Sequence, residues 1–178
     1  MPYGGFTMKE DSDLKNHISW CWKQKRGIKI EEPNSNLCKV YIKKAKSSLN
    51  ILESAIEKDE IDWISTAAYY ARYFAFYALL QKCGIKSEIH DCTISLMHFL
   101  FVDEKIIEEH FYSELESVKE LRIDTQYYVA EDIDLDKLKK DSETARSFVL
   151  RMEGAIENIT EEQINITRNK LNSITLAL

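Results

Sequence analysis

From Ile61 to Cys83 the sequence spells one helix that is apolar on nearly every side, through Trp63, Ala67, Tyr70, Ala71, Phe74, Ala75, Ala78 and Leu79, with Gly84 as its terminator. Such a helix has to be enclosed, because each of its faces needs another element to cover it. Its alanines let neighbouring helices approach closely, and its aromatic rings fill the remaining gaps. The 178 residues include only 5 Gly and 2 Pro, so tight turns are few and an all-β fold is opposed. An all-α bundle in a single domain, residues 1–178, is the expectation.

The remaining helices follow from apolar spacing and caps. Residues 12–26, with Leu14, Ile18 and Trp22, form a short first helix stopped by Gly27, and a loop follows. Asn36 is placed to cap residues 37–58, whose inward face runs Leu37, Val40, Tyr41, Ala45, Leu49, Leu52 and Ile56. A shorter helix covers 88–102, and residues 108–128 set Phe111, Leu115, Val118, Arg122 and Thr125 along one stripe. A single helix over 135–158 turns Leu138, Ala145, Phe148, Val149, Met152 and Ile156 inward, and Thr160 with Gln163 forms a capping box for the last helix.

Charge and targeting narrow the function. A formal net charge of −6 opposes an electrostatic grip on duplex DNA, which needs clustered Lys and Arg. The opening MPYGGFTMKEDSD has no apolar core, and the longest apolar run carries Arg72, so neither a secretory signal nor a membrane span is expected and the protein is placed in the cytoplasm. Cys21, Cys38, Cys83 and Cys92 show no CxxC pairing, so structural disulfides are not expected. His17 and Cys21 share a helix face, and His90, Cys92 or His98 could add ligands, but core filling by scattered Cys and His is the better account and no metal site is assigned. Asp132, Asp134, Asp136 and Glu143 resemble calcium-loop ligands, yet Lys137 stands where a sharp turn demands Gly, so these acids read as a helix start.

In order along the chain stand Ala68-Tyr69-Tyr70-Ala71, Ala78-Leu79-Leu80, Gly84-Ile85, His90, an aliphatic helix from Ile94, Arg122 five before Tyr127, and Ala145 with Phe148. This pattern resembles the HEPN (higher eukaryotes and prokaryotes nucleotide-binding) family, in its branch of small archaeal and bacterial bundle proteins, over roughly residues 35–158. The resemblance implies an antiparallel up-and-down bundle with a four- to five-helix core and extra N- and C-terminal helices. It also implies a homodimer, association with RNA or a nucleotide, and a minimal nucleotidyltransferase as partner in a toxin-antitoxin-like pair. Where that branch often has Ala-Asp before the Tyr, this chain has Thr125-Gln126.

Nuclease members of the family carry an Arg followed, after four to six residues, by a His. None of the six arginines here has one, and at Arg122 the matching positions are Tyr127, Tyr128 and Val129. Metal-free RNA cleavage needs a group that exchanges protons near neutrality, which imidazole does and an ordinary tyrosine does not. Arg122 still offers a forked, permanently charged guanidinium to phosphate, with Tyr127 as companion donor. On an unbroken helix a spacing of five separates them by about 140°, so they converge only if the helix ends there. The alternative for Arg122 is a packed stem with a head paired to Asp124 or a neighbouring acid. In members whose tyrosine near this motif is nucleotidylated, that tyrosine stands seven after the Arg, where this chain has Val129.

His90 is the candidate catalytic residue if it approaches Arg122; otherwise it reads as a helix-start residue bonding a carboxylate. Arg72 is a further candidate phosphate contact, with a stacked or paired structural Arg as the default. The resulting expectation is a nucleotide- or RNA-associated protein with a degenerate ribonuclease motif and no cofactor. Two rivals are an active metal-independent endoribonuclease using His90 and a non-catalytic scaffold whose acidic faces and apolar tail bind another protein.

Overall fold

A computed structural model describes residues 11–127 and 134–176. Among them the helices are α1 (Asp11–Lys23), α2 (Ser35–Glu57), α3 (Ile61–Lys82), α4 (His90–Met97), α5 (Glu109–Tyr127), α6 (Leu135–Glu143), α7 (Ala145–Asn158) and α8 (Glu161–Leu176). The fold is all-α. Two-residue strands β1 (Lys29–Ile30) and β2 (Ile85–Lys86) pair antiparallel, Lys29 opposite Lys86. No helix among the described residues is long and apolar enough to cross a membrane.

Cross-helix contacts give the directions. Asn34 N–H donates to the Gln81 carbonyl, so α2 starts where α3 ends. Ser65 meets Thr125 and Arg72 meets Glu114, which runs α5 antiparallel to α3. Lys46 pairs with Glu153 and Arg146 with Glu53, which runs α7 antiparallel to α2. Helices α2, α3, α5 and α7 therefore go up, down, up, down. At their centre Tyr69, Phe76, Leu79 and Leu80 of α3 pack with Phe99, Phe101 and Phe148, all fully buried.

Several details depart from the sequence expectation. The cap of α2 is Asn34, whose Oδ1 accepts from Leu37 N–H at 2.9 Å, rather than Asn36. The buried stripe runs through Cys38, Ala45, Leu49, Leu52 and Ala55, while Leu37 and Val40 face outward, because rows one residue apart diverge by a quarter turn or more on a helix. Trp63 is 60% exposed, since it sits in the first turn of α3 at the end of the bundle. The helix expected over 88–102 changes at His98 into a five-residue π-helical turn, His98–Val102, which buries the consecutive Phe99, Leu100 and Phe101.

The helix expected over 135–158 breaks at Thr144. The Asp141 carbonyl accepts from Arg72 Nη2 at 3.1 Å and from Thr144 Oγ1 at 3.0 Å, so the acceptor that Ala145 N–H would need to continue the helix is diverted. Asp134 caps α6 by accepting from Lys137 N–H, the helix start expected of these acids; Asp132 lies outside the described residues. The Thr160–Gln163 capping box forms in both directions.

The largest correction concerns cysteine. Cys21 on α1 and Cys92 on α4 form a disulfide, across 71 residues, leaving Cys38 and Cys83 as buried free thiols. Spacing in sequence could not show it, because the pairing depends on α1 docking against α4.

Candidate functional site

The register of α5 against α3 is pinned at its C-terminal end. Ser65 and Thr125 hydroxyls meet at 2.6 Å in the core, and Gln126 Nε2 donates to Thr66 Oγ1 at 2.7 Å. One turn earlier, these pins hold the half-buried Arg122 over two aromatic rings of α3. Its guanidinium carbon lies 5.2 Å from the Tyr70 ring centre and 5.4 Å from that of Tyr69, within cation–π range. Its Nε is buried and has no hydrogen-bond partner, and no carboxylate pairs with the head among the described residues. The pairing with Asp124 is therefore not formed. A guanidinium held in place without a carboxylate partner among the described residues is suited to an oxyanion.

His90 opens α4 beside Tyr69. Its Nδ1 lies 2.7 Å from the Tyr69 hydroxyl, so its partner is a phenol rather than a carboxylate. Its ring stacks on Tyr73, with centroids 4.3 Å apart. Burial, and then the charge of Arg122, hold the imidazole below its ordinary pKa, with Asp91 opposing and Lys119 adding to the depression. The ring is thus neutral near neutral pH, the form that can accept a proton. Burial drives the Tyr69 phenol well above its ordinary range and Tyr73 to about 12, so both remain protonated. Lys119, three residues before Arg122, pairs with Asp91 at 2.6 Å and adds a second cation beside His90.

The structure thus joins two of the residues singled out in the sequence, Arg122 and His90, through the shared ring of Tyr69. Tyr127 is the last residue of α5, and its side chain lies outside the described residues, as does Tyr128. Arg72 lies elsewhere, in the contacts of the paired structural Arg that was its default reading. It is fully buried, and it donates to Glu114 Oε1 at 2.6 Å, the Ala68 carbonyl at 2.9 Å, the Asp141 carbonyl at 3.1 Å and Thr144 Oγ1 at 2.8 Å. Those bonds tie α3 to α5 and to the α6–α7 break. Sequence reasoning missed Tyr73 and Lys119 as parts of the site. The signals were present: Tyr73 stands four after Tyr69 on one helix face, and Lys119 three before Arg122.

A family model described as HEPN domain matches residues 38–163. The span begins in the first turn of α2, ends at the start of α8 and omits α1. No curated protein matches the chain.

Proposed function

The chain belongs to the HEPN domain family, and from that premise we propose that it is an RNA- or nucleotide-associated protein whose Arg122 holds a phosphate. The observation carrying this reading is the Arg122 guanidinium, fixed over Tyr69 and Tyr70 with no carboxylate partner among the described residues. The protein works, in this reading, as a homodimer beside a minimal nucleotidyltransferase in a toxin-antitoxin-like pair. A nucleotidyltransferase encoded next door that copurifies with the chain would support that pairing. Phosphate binding is tested by titrating mixed cellular RNA and nucleoside monophosphates into the purified protein. Arg122→Ala should weaken binding by about tenfold or more, the worth of a charge-assisted hydrogen bond. Arg146→Ala, which removes a surface pair with Glu53, should not.

A second reading, metal-independent RNA cleavage, is favoured by one specific observation: His90 is neutral and shares Tyr69 with Arg122. In that reaction the imidazole takes the 2′-hydroxyl proton, the 2′-oxygen attacks phosphorus, and the 5′-oxygen leaves with a proton returned by the imidazolium while Arg122 offsets the phosphoryl charge. Incubation with RNA in a chelator decides it. Cleavage lost in both Arg122→Ala and His90→Ala makes the protein a ribonuclease, whereas cleavage equal to the variants' background leaves phosphate binding alone.

A further inference from the structure

We propose that His17, Cys21 and Cys92 form a binding site for one zinc-class cation when the two cysteines are reduced. The α1 helix sets His17 and Cys21 four apart on one face, and α4 brings Cys92 against them. The imidazole nitrogen and the two sulfurs all lie within 4.8 Å of one another, with His17 Nε2 3.5 Å from Cys21 Sγ. Both cysteines are fully buried and His17 is half-buried, so the sulfurs are shielded from solvent and the imidazole lies nearer the surface. Two thiolates and one imidazole are a borderline-soft donor set, which suits zinc and disfavours calcium and magnesium. Solvent water completes four-coordination.

The chemistry balances in two steps. A dithiol reductant gives two electrons and two protons to the Cys21–Cys92 disulfide, leaving two thiols and an oxidised, cyclic reductant. The cation then forms two bonds to sulfur as both thiol protons leave to solvent, and His17 donates its Nε2 lone pair. The Cα atoms stand 5.8 Å apart, so the sulfurs separate by side-chain rotation. In either state the cluster fastens α1, which lies outside the family match, to α4 within it. This inference is independent of phosphate binding at Arg122.

The test uses the full chain, reduced by a dithiol that is then removed anaerobically, and titrated with Co²⁺ followed by Zn²⁺. One equivalent of cobalt should give tetrahedral d–d bands with a sulfur-to-cobalt charge-transfer band, and one equivalent of zinc should abolish them. The oxidised wild-type chain, which differs only by the disulfide, should show neither. His17→Gln should keep the sulfur band and bind at least about tenfold more weakly, since a ligand matters no less than its outer-shell partners. Absence of a sulfur band in the reduced chain overturns the proposal. So does equal binding in the oxidised chain, equal affinity in His17→Gln, or a band that survives the double variant Cys21→Ser/Cys92→Ser, which would place the metal on Cys38 or Cys83.

Discussion

The Tyr69 hydroxyl lies 2.7 Å from His90 Nδ1, tying the middle of α3 to the first residue of α4. The same ring faces the Arg122 guanidinium, so one protonated phenol contacts both a fixed cation and a neutral base. Neither neighbour is placed by its own helix alone: α5 is registered by Ser65 and Thr125, and α4 by its disulfide to α1.

This arrangement fixes the titration of His90. Burial and Arg122 depress its folded-state pKa below 6.5, so the unfolded chain binds a proton more readily than the folded one. The stability contribution of the neutral ring is complete above pH 6.5 and is lost as pH falls from there through the folded pKa. NMR of the imidazole carbon-bound protons should show His90 titrating below 6.5 and moving upward in Arg122→Gln. Titration at or above 6.5 in the wild type, or no movement in the variant, would break the link between the two residues.

The bundle was legible because α3 leaves no alternative: a helix apolar on nearly all sides dictates its neighbours. Arg122 and His90 were legible as residue types, and their meeting was not, since it depends on α4 and α5 approaching α3 from separate connections. Arg72 shows the opposite limit. Its sequence neighbourhood of aromatics admits both a phosphate site and a buried tie, and only the positions of Glu114, Asp141 and Thr144 decide. The disulfide was hidden for the same reason as the helix break at Thr144, because each is set by contacts some 70 residues apart in sequence.

Removing Arg72 should therefore damage the fold rather than the ligand site. Arg72→Met leaves Glu114 and three further acceptors without this donor, at a cost of about 3–5 kcal/mol. Arg72→Lys should recover little, because one ammonium cannot reach acceptors arranged for a planar fork. Chemical denaturation measures both. Phosphate affinity per folded molecule should stay at the wild-type value.

The Cys21–Cys92 bond closes a loop of 71 residues, and the chain-entropy relation gives about 4 kcal/mol for such a cross-link. Reduction in the presence of a chelator should lower Tm by about 8–16 °C for a domain of this size. Alkylation of the unfolded, unreduced chain followed by mass measurement should modify only Cys38 and Cys83. Four modified cysteines would show that the isolated protein is not oxidised.

Two glycines give a paired prediction of opposite sign. Gly84 ends α3 with φ +68°, a conformation that costs other residues about 1 kcal/mol. A Cβ there would also meet the Glu31 carbonyl oxygen and the Arg168 guanidinium. Arg168 Nη1 donates at that point to the carbonyls of Glu31 at 2.8 Å and Cys83 at 2.9 Å, fastening α8 over the end of α3. Gly84→Ala must either displace this clamp or shift the chain at Glu31, where Glu31 N–H donates to the Gly84 carbonyl at 2.8 Å. The expected loss is about 2 kcal/mol or more, combining the backbone cost with a charged hydrogen bond. Gly154 sits inside α7, and a Cβ there meets nothing within 4 Å. Gly154→Ala should stabilise the protein by about 0.5–1 kcal/mol through helix propensity alone. Urea denaturation of the two variants beside the wild type checks both signs at once, and a destabilised Gly154→Ala would mean that α7 is packed differently along this face.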